Sequence, residues 1–414
     1  MSNVFEGFLS TPEVMESFAD RAFVAAMLRF EAALANAQAA CGVIPEAAAQ
    51  SIVDTCKVDL FDAPKIVRES TRSGSLAIPM VKTLKETVGL FNPDAVPYVH
   101  FGSVSQDVID TAMALITRDV LVLVESDLRV CIEAVLNLAE KYLDTPMLAR
   151  TLMQPASVTS FGLKCANWAA PLVRSLKRLQ SVKQGALKVQ LGGGIGTLAR
   201  MGDKGPQITA HMARSLGLGL PCAPWHTQRD EWIALGCELG LMAGSLGKIA
   251  KDLSLLGQFE VAEVWERPEP GRGASSDMPH KHNPVASMAA LAAAQRVPQR
   301  VAALLATMPH EHERALGGWQ AELAEWSQLL VSAHASSKAM ASALPYLVVD
   351  AERMRSHIDA AARSVDKENG KTWFAPALAL GAGQLARRYL EALRSEFLAS
   401  MPAPNPSQKT GTQA

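Results

Sequence analysis

The 414-residue chain sets 40 Lys and Arg against 41 Asp and Glu, a formal net charge of −1, and is 49% hydrophobic but only 6% aromatic. So even a balance excludes the basic field that nucleic acid or an anionic membrane surface requires. Twenty per cent charged residues amid abundant alanine and leucine exclude a disordered chain and favour a helix-rich, core-forming one.

In chain order, residues 1–97 read as an N-terminal helical domain. A central long-helix bundle spans 98–343, a C-terminal helical domain 344–401, and a polar, proline-containing tail 402–414, expected to be disordered. From Ser105 to Leu143 there is neither Gly nor Pro, which predicts a rod of about 60 Å. Within it Val120-Leu121-Val122-Leu123-Val124 is apolar at five consecutive positions, so this turn is expected to be covered on every side. Lys188-Val189-Gln190-Leu191 is the one short strand candidate. A second rod is predicted from about Thr227 to Glu266. Its Gly236, Gly240, Gly244 and Gly247 share a face, which allows a neighbouring helix to approach closely. The apolar run Ile233 to Ala250 is interrupted by Glu238 and Lys248 and reads as a buried helix, not a membrane span. A third rod follows Pro284 to about Thr307 with a kink at Pro298, and a fourth covers Gly318 to Ala343. The fold class is all-α, a bundle whose apolar rods call for a symmetric oligomer.

The six cysteines (Cys41, Cys56, Cys131, Cys165, Cys222, Cys237) form no CxxC pair, which reads as reduced thiols in a cytoplasm. The N-terminus shows no basic region followed by an apolar core, so no export signal is expected. His280-x-His282 and His310-Glu311-His312-Glu313 lack further ligands at recognisable spacing, and no metal is expected. Gly192-Gly193-Gly194-Ile195-Gly196 is not a dinucleotide fingerprint and reads as a turn near the active site; no cofactor is expected. Trp225, Trp319 and Trp326 read as packing residues.

The most informative segment is Arg267 to Pro284, RPEPGRGASSDMPHKHNP. Its Gly, Pro and Ser content marks a long loop between rods, and such loops are usually functional. Arg267, Arg272, His280, Lys281 and His282 make it cationic, suited to a small anionic substrate, although a solvated linker has the same composition.

Ala274-Ser275-Ser276-Asp277-Met278-Pro279-His280-Lys281-His282-Asn283-Pro284 resembles the GSSxMPxKxNP loop of the fumarase/aspartase superfamily. His100-Phe101-Gly102-Ser103-Val104-Ser105-Gln106-Asp107, with Asp110-Thr111, is similar to its HxGxTSxDxxDT segment, and Arg150-Thr151-Leu152-Met153-Gln154-Pro155-Ala156 to its GRTHxQxA segment. Pro224-Trp225-His226-Thr227-Gln228-Arg229-Asp230 and Glu313 to Glu322 resemble a cycloisomerase branch. The resemblance implies a three-domain all-α fold and a homotetramer whose active sites mix residues of several subunits. It also implies a small polycarboxylate substrate, one of whose carboxylates adds across a C=C bond of the same molecule to form a lactone.

On that resemblance Ser275 is the proton donor and acceptor at the carbon beside a carboxylate. A serine hydroxyl is a poor base, so it needs a cation, here Lys281, and aimed N–H donors from the turn. Ser276 and Asn283 would position loop and substrate. His100, Ser103, Ser105, Gln106, Thr151, Gln154 and Arg229 are expected to bind substrate carboxylates, with Arg72 and Ser75 as a further wall. His100 and Ser105 read equally as helix-cap residues. Leu152 stands where most members of the superfamily have a histidine that handles the departing group. Leucine transfers no proton, which suits a carboxylate leaving as a stable anion of pKa about 4 and disfavours amine release. Val104 replaces a threonine and Ala274 a glycine. A lyase of the same fold releasing fumarate from adenylosuccinate, and an inactive helical scaffold, remain the alternatives.

Overall fold

A computed structural model of the chain describes residues 4–401; the tail expected at 402–414 lies outside the described residues. Short helices α1 (Val4–Gly7) and α2 (Pro12–Ser17) precede α3 (Asp20–Ala40), α4 (Glu46–Thr55), α5 (Ala63–Ser73) and α6 (Ala77–Phe91). Then come α7 (Ser105–Lys141), a hairpin of β1 (Pro146–Thr151) and β2 (Gln154–Ser160), α8 (Phe161–Ala186), α9 (Gly205–Leu216) and α10 (Asp230–Leu256). After β3 (Val264–Trp265) follow α11 (Val285–Thr307), α12 (Gly318–Ala343), β4 (Val348–Val349), α13 (Ala351–Arg363), α14 (Lys367–Trp373) and α15 (Leu378–Ala399).

The all-α expectation holds, and the first rod stands close to where the absence of Gly and Pro puts it. The second is shorter than expected, ending at Leu256. Pro298 lies inside α11. The strand expectation is corrected: only Lys188 pairs, in an isolated bridge with Gly219, and the hairpin forms at β1–β2 instead.

The described residues fall into two compact units that share out the long helices. Among the described residues, one comprises 4–126, 179–244 and 292–338; the other comprises 127–178, 245–291 and 339–401. In the first unit Trp232 stacks on Trp326 with ring centroids 4.0 Å apart, and the Trp326 indole donates to Thr117 Oγ1 at 2.9 Å. Gly236 there lets Leu304, Trp326 and Leu329 approach α10, and Gly240 lets in Val301; a Cβ at either site would meet them at 3.0–3.3 Å. Close helix packing thus offsets the intrinsic helical cost of glycine. Val122 is a correction: it is 65% exposed, while Val120, Leu121 and Val124 are buried.

In the second unit the hairpin packs against α13 and α15 through Leu148, Val158, Ile358, Ala361, Phe374 and Ala379. Strand β3 pairs with β4, Val264 opposite Val349. Helix α10 meets the length and composition of a membrane-crossing helix, but three-fifths of its apolar window is buried, as expected for a core helix.

Candidate active site

His100, Ser103, Ser105, Gln106 and Arg229 lie in the first unit; Thr151, Gln154, Ser275, Ser276, Lys281 and Asn283 lie in the second.

In the first unit the start of α7 is held by Asp107. This fully buried carboxylate accepts from the backbone N–H of Val104, Gly192 and Gly193, each at 3.0 Å, and lies 2.6 Å from His226 Nε2. The Val104 contact satisfies an orphan donor at the helix start, so Asp107 fills the capping role considered for Ser105. The glycine turn packs where expected, against the first segment. Gly193 has φ 68°, and a Cβ there would sit 2.8 Å from the Gly102 carbonyl oxygen. One turn further along α7, Asp110 accepts from Gln106 Nε2 (3.1 Å), Gln190 Nε2 (3.3 Å), Trp319 Nε1 (2.9 Å) and Arg229 Nη1 (2.9 Å).

Arg229 corrects the sequence reading. Its side chain is 1% exposed and pairs with both Asp110 and Glu322, and its guanidinium also lies 4.5 Å from the centroid of the Trp225 ring. Burial works against the charge, but the two carboxylates overcome it and hold the pKa above the ordinary arginine value. With its donors engaged, Arg229 holds the core together instead of gripping a substrate. Gln106 is likewise buried and engaged, donating also to the His226 carbonyl at 2.9 Å and accepting from Arg314 at 2.8 Å.

His100 behaves differently. It sits in left-handed backbone at φ 61°, with Nδ1 2.6 Å from Glu31 Oε1 and 2.9 Å from Ser103 Oγ. Burial pulls its pKa down, but the charge and hydrogen bond of Glu31, with the charge of Asp107, raise it above the usual imidazole value. Glu31 escapes a reading of the sequence alone. The signal that finds it is an acid among alanines in α3, seven residues from Gln38, whose side chain donates to the Phe101 carbonyl at 2.6 Å. Ser75 Oγ accepts from Ala77 N at 3.3 Å and starts α6, while Arg72 sits in the last turn of α5.

In the second unit Thr151 and Gln154 pair at the end of the hairpin, and Leu152 and Met153 form its two-residue turn at φ 50° and 67°. Such turns favour Asn-Gly because bulky side chains are strained there. Leu152 nevertheless stands 97% exposed. Arg150, just before, is bonded through both terminal nitrogens to the buried Glu263 carboxylate, which His357 Nδ1 also approaches to 2.6 Å. A cavity of about 450 Å³ beside the turn is lined by Arg150, Leu152, Met153, Lys164 and Asp252 among others. Burial, with the charges of Lys248 and Arg150, holds the Lys164 amine below the ordinary lysine range despite Asp252. No sequence signal pointed to Lys164.

The loop Arg267 to Pro284 is closed at its base. Glu266 accepts from Ala286 N, Ser287 N and Ser287 Oγ at 2.7–3.1 Å, and Asn283 N donates to the Gly273 carbonyl at 2.8 Å. Gly273 has φ 69°, and a Cβ there would collide with the Asn283 carbonyl. At the tip, Ser275 Oγ accepts from Met278 N at 3.0 Å and Asp277 N at 3.4 Å. Both donors come from the turn that follows Ser275 itself. Ser276 is exposed at the tip. Lys281 and Asn283 line a cavity of about 570 Å³ with Arg267, Arg272, His280 and His282, and Ser275 is not on its wall. Among the described residues no hydrogen bond joins Lys281 to Ser275, so the expected cation is not on the hydroxyl in this arrangement. Glu266 is the one carboxylate on that wall against Arg267, Arg272 and Lys281, so the lining is net cationic.

The described structure thus combines a bundle of long helices, a serine loop whose Ser275 hydroxyl accepts from two backbone N–H groups, and a cavity lined by Arg267, Arg272 and Lys281. The family described as Lyase matches residues 8–298, and the chain belongs to this family, part of the fumarase/aspartase superfamily. It is 44% identical over 87% of its length, and 80% of the other chain, to a 3-carboxy-cis,cis-muconate cycloisomerase of Bradyrhizobium diazoefficiens. It is 39% identical over 84% of its length, and 74% of the other, to a nitrosuccinate lyase of Streptomyces davaonensis. The crystal structure of the 3-carboxy-cis,cis-muconate lactonizing enzyme from Pseudomonas putida superposes with a TM-score of 0.86 at 32% identity, covering 96% of this chain and all of that one.

Proposed function

We propose that this chain is a cycloisomerase that closes 3-carboxy-cis,cis-muconate to 4-carboxymuconolactone in protocatechuate breakdown. The observation that carries the reading is that comparisons of sequence and of fold both lead to enzymes named for this activity. In the reaction one carboxylate oxygen bonds to a carbon of its own diene. The π electron pair moves to the carbon beside another carboxylate, and the Ser275 hydroxyl gives that carbon its proton. The enzyme activates no separate nucleophile; folding the substrate into reactive geometry does that work. The N–H groups of Asp277 and Met278 stabilise the alkoxide left on Ser275. Lys281, with Arg267 and Arg272, supplies positive charge for a substrate with three carboxylates. Ser276, Asn283, Thr151 and Gln154 are the second unit's groups for orienting those carboxylates, and His100, Ser103 and Ser105, at the start of α7, are the first unit's.

Leu152 supports a leaving group that needs no acid, which argues against adenylosuccinate as substrate. A nitrosuccinate lyase of Streptomyces davaonensis is among the relatives, and a nitro group eliminated as an anion would likewise need no acid, so nitrosuccinate is the second reading. The assembly we propose is a homotetramer. Val122 and Leu241, exposed on α7 and α10, give those helices apolar faces to bury, and six free cysteines suit a cytoplasmic enzyme. The test offers purified enzyme carboxymuconate, nitrosuccinate and adenylosuccinate in turn. Loss of diene absorbance with lactone as product is expected from the first alone; nitrite or fumarate release without diene loss overturns the reading.

A further inference from the structure

We infer that Glu31 is a positioning residue for the proposed reaction: from α3 it holds the His100 ring so that the ring's outward N–H meets a substrate carboxylate. The inference rests on the proposed polycarboxylate substrate. Nothing in the packing of α3, otherwise buried through Met27, Leu28, Phe30 and Leu34, calls for a carboxylate, and burying one is costly unless it is matched. Glu31 is 1% exposed, and its Oε2 has no hydrogen-bond partner. Its negative charge is answered through Oε1 by His100 Nδ1 at 2.6 Å, and a contact this short between carboxylate and ring nitrogen is a charge-assisted hydrogen bond. With the Nδ1 proton directed at Glu31, Nε2 carries the second proton of an imidazolium. Among the described residues Nε2 has no partner, and the side chain keeps 16% of its surface exposed. One ring nitrogen is anchored and the other is offered outward.

The backbone fits the same purpose. A non-glycine residue is disfavoured in left-handed conformation, and His100 is held there at φ 61° by Glu31 on the ring and Gln38 on the next carbonyl. The charges facing the ring are Glu31 from α3, Asp107 from α7 and Lys85 from α6. Arg200 lies over the neighbouring Phe101 ring at 4.5 Å, and the Cys56 thiol, pushed up by burial and by Glu31, stays neutral. Burial and Lys85 oppose protonation; Glu31 and Asp107 prevail, so the His100 pKa is raised. The charged ring is therefore complete below the ordinary imidazole value of about 6.5 and is lost as pH rises through the higher folded value.

Glu31→Gln keeps an acceptor for Nδ1–H and removes the charge. It is expected to move the alkaline limb of 1/KM for carboxymuconate down by about one pH unit and to raise KM about tenfold at pH 8. That increase should exceed any fall in kcat and shrink towards pH 6. Added to His100→Gln, the substitution should cost little more, since it acts through the ring. An unmoved limb, or a full added cost in the double variant, overturns the inference. Histidine NMR with 13Cε1 labelling, assigned with His100→Gln, reads the ring directly. In the unaltered enzyme His100 should titrate above 6.5, higher still with propane-1,2,3-tricarboxylate; titration at or below 6.5 overturns the inference even if Glu31→Gln fails to fold. Absence of turnover on carboxymuconate by the unaltered enzyme instead sinks the substrate reading, while the titration still decides on Glu31.

Discussion

Around Asp107 and Asp110 the polar side chains are buried and matched, whereas between Arg267 and Pro284 most side chains face solvent and the ties run through the backbone and the base of the loop. The two regions carry motif residues of equal standing, yet they do opposite work. The first spends its polar groups on one another: Arg229 on Asp110 and Glu322, Asp107 on His226 and three backbone N–H groups. Among the described residues the second pairs neither Ser275 nor Lys281 with another side chain, while backbone bonds fix the turn that carries them. Membership of a motif therefore does not mean contact with substrate, because some motif residues exist to hold the others in place.

Breaking the first region should give the largest change in stability. Arg229→Met strands two buried carboxylates and is expected to cost about 3–5 kcal/mol in urea unfolding. A variant of normal stability with a raised KM would instead return Arg229 to substrate binding. A smaller effect of opposite sign is expected at the hairpin. Replacing Leu152 with Asn and Met153 with Gly relieves strain at two left-handed positions and should raise stability by about 1–2 kcal/mol. An unchanged or lower stability would mean that the exposed Leu152 and Met153 side chains are covered in the assembled enzyme, with contacts worth more than the strain.

The first rod was legible because its signal is local: no Gly or Pro interrupts Ser105 to Lys141, and α12 spans the expected Gly318 to Ala343. The hairpin was not legible, since Leu-Met is the wrong chemistry for a two-residue turn and Gly or Asn would have announced it. The serine loop could be read from its motif, and the N–H donors on Ser275 follow from the local turn. The fate of Arg229 could not be read, because its partners lie 119 and 93 residues away. Glu31 was hidden for the same reason, 69 residues before the ring it touches. Val122 stays exposed in a run that composition alone would bury, because five consecutive apolar residues circle the whole helix while only part of that turn is packed against neighbours.

The most direct measurement compares diene loss from carboxymuconate by the unaltered enzyme and by Ser275→Ala, with oligomeric state checked in both. A fall in kcat of roughly 10²–10⁴-fold, with the assembly intact, is the expected loss of a positioned proton donor. Turnover within about tenfold of the unaltered enzyme would place proton delivery on another group.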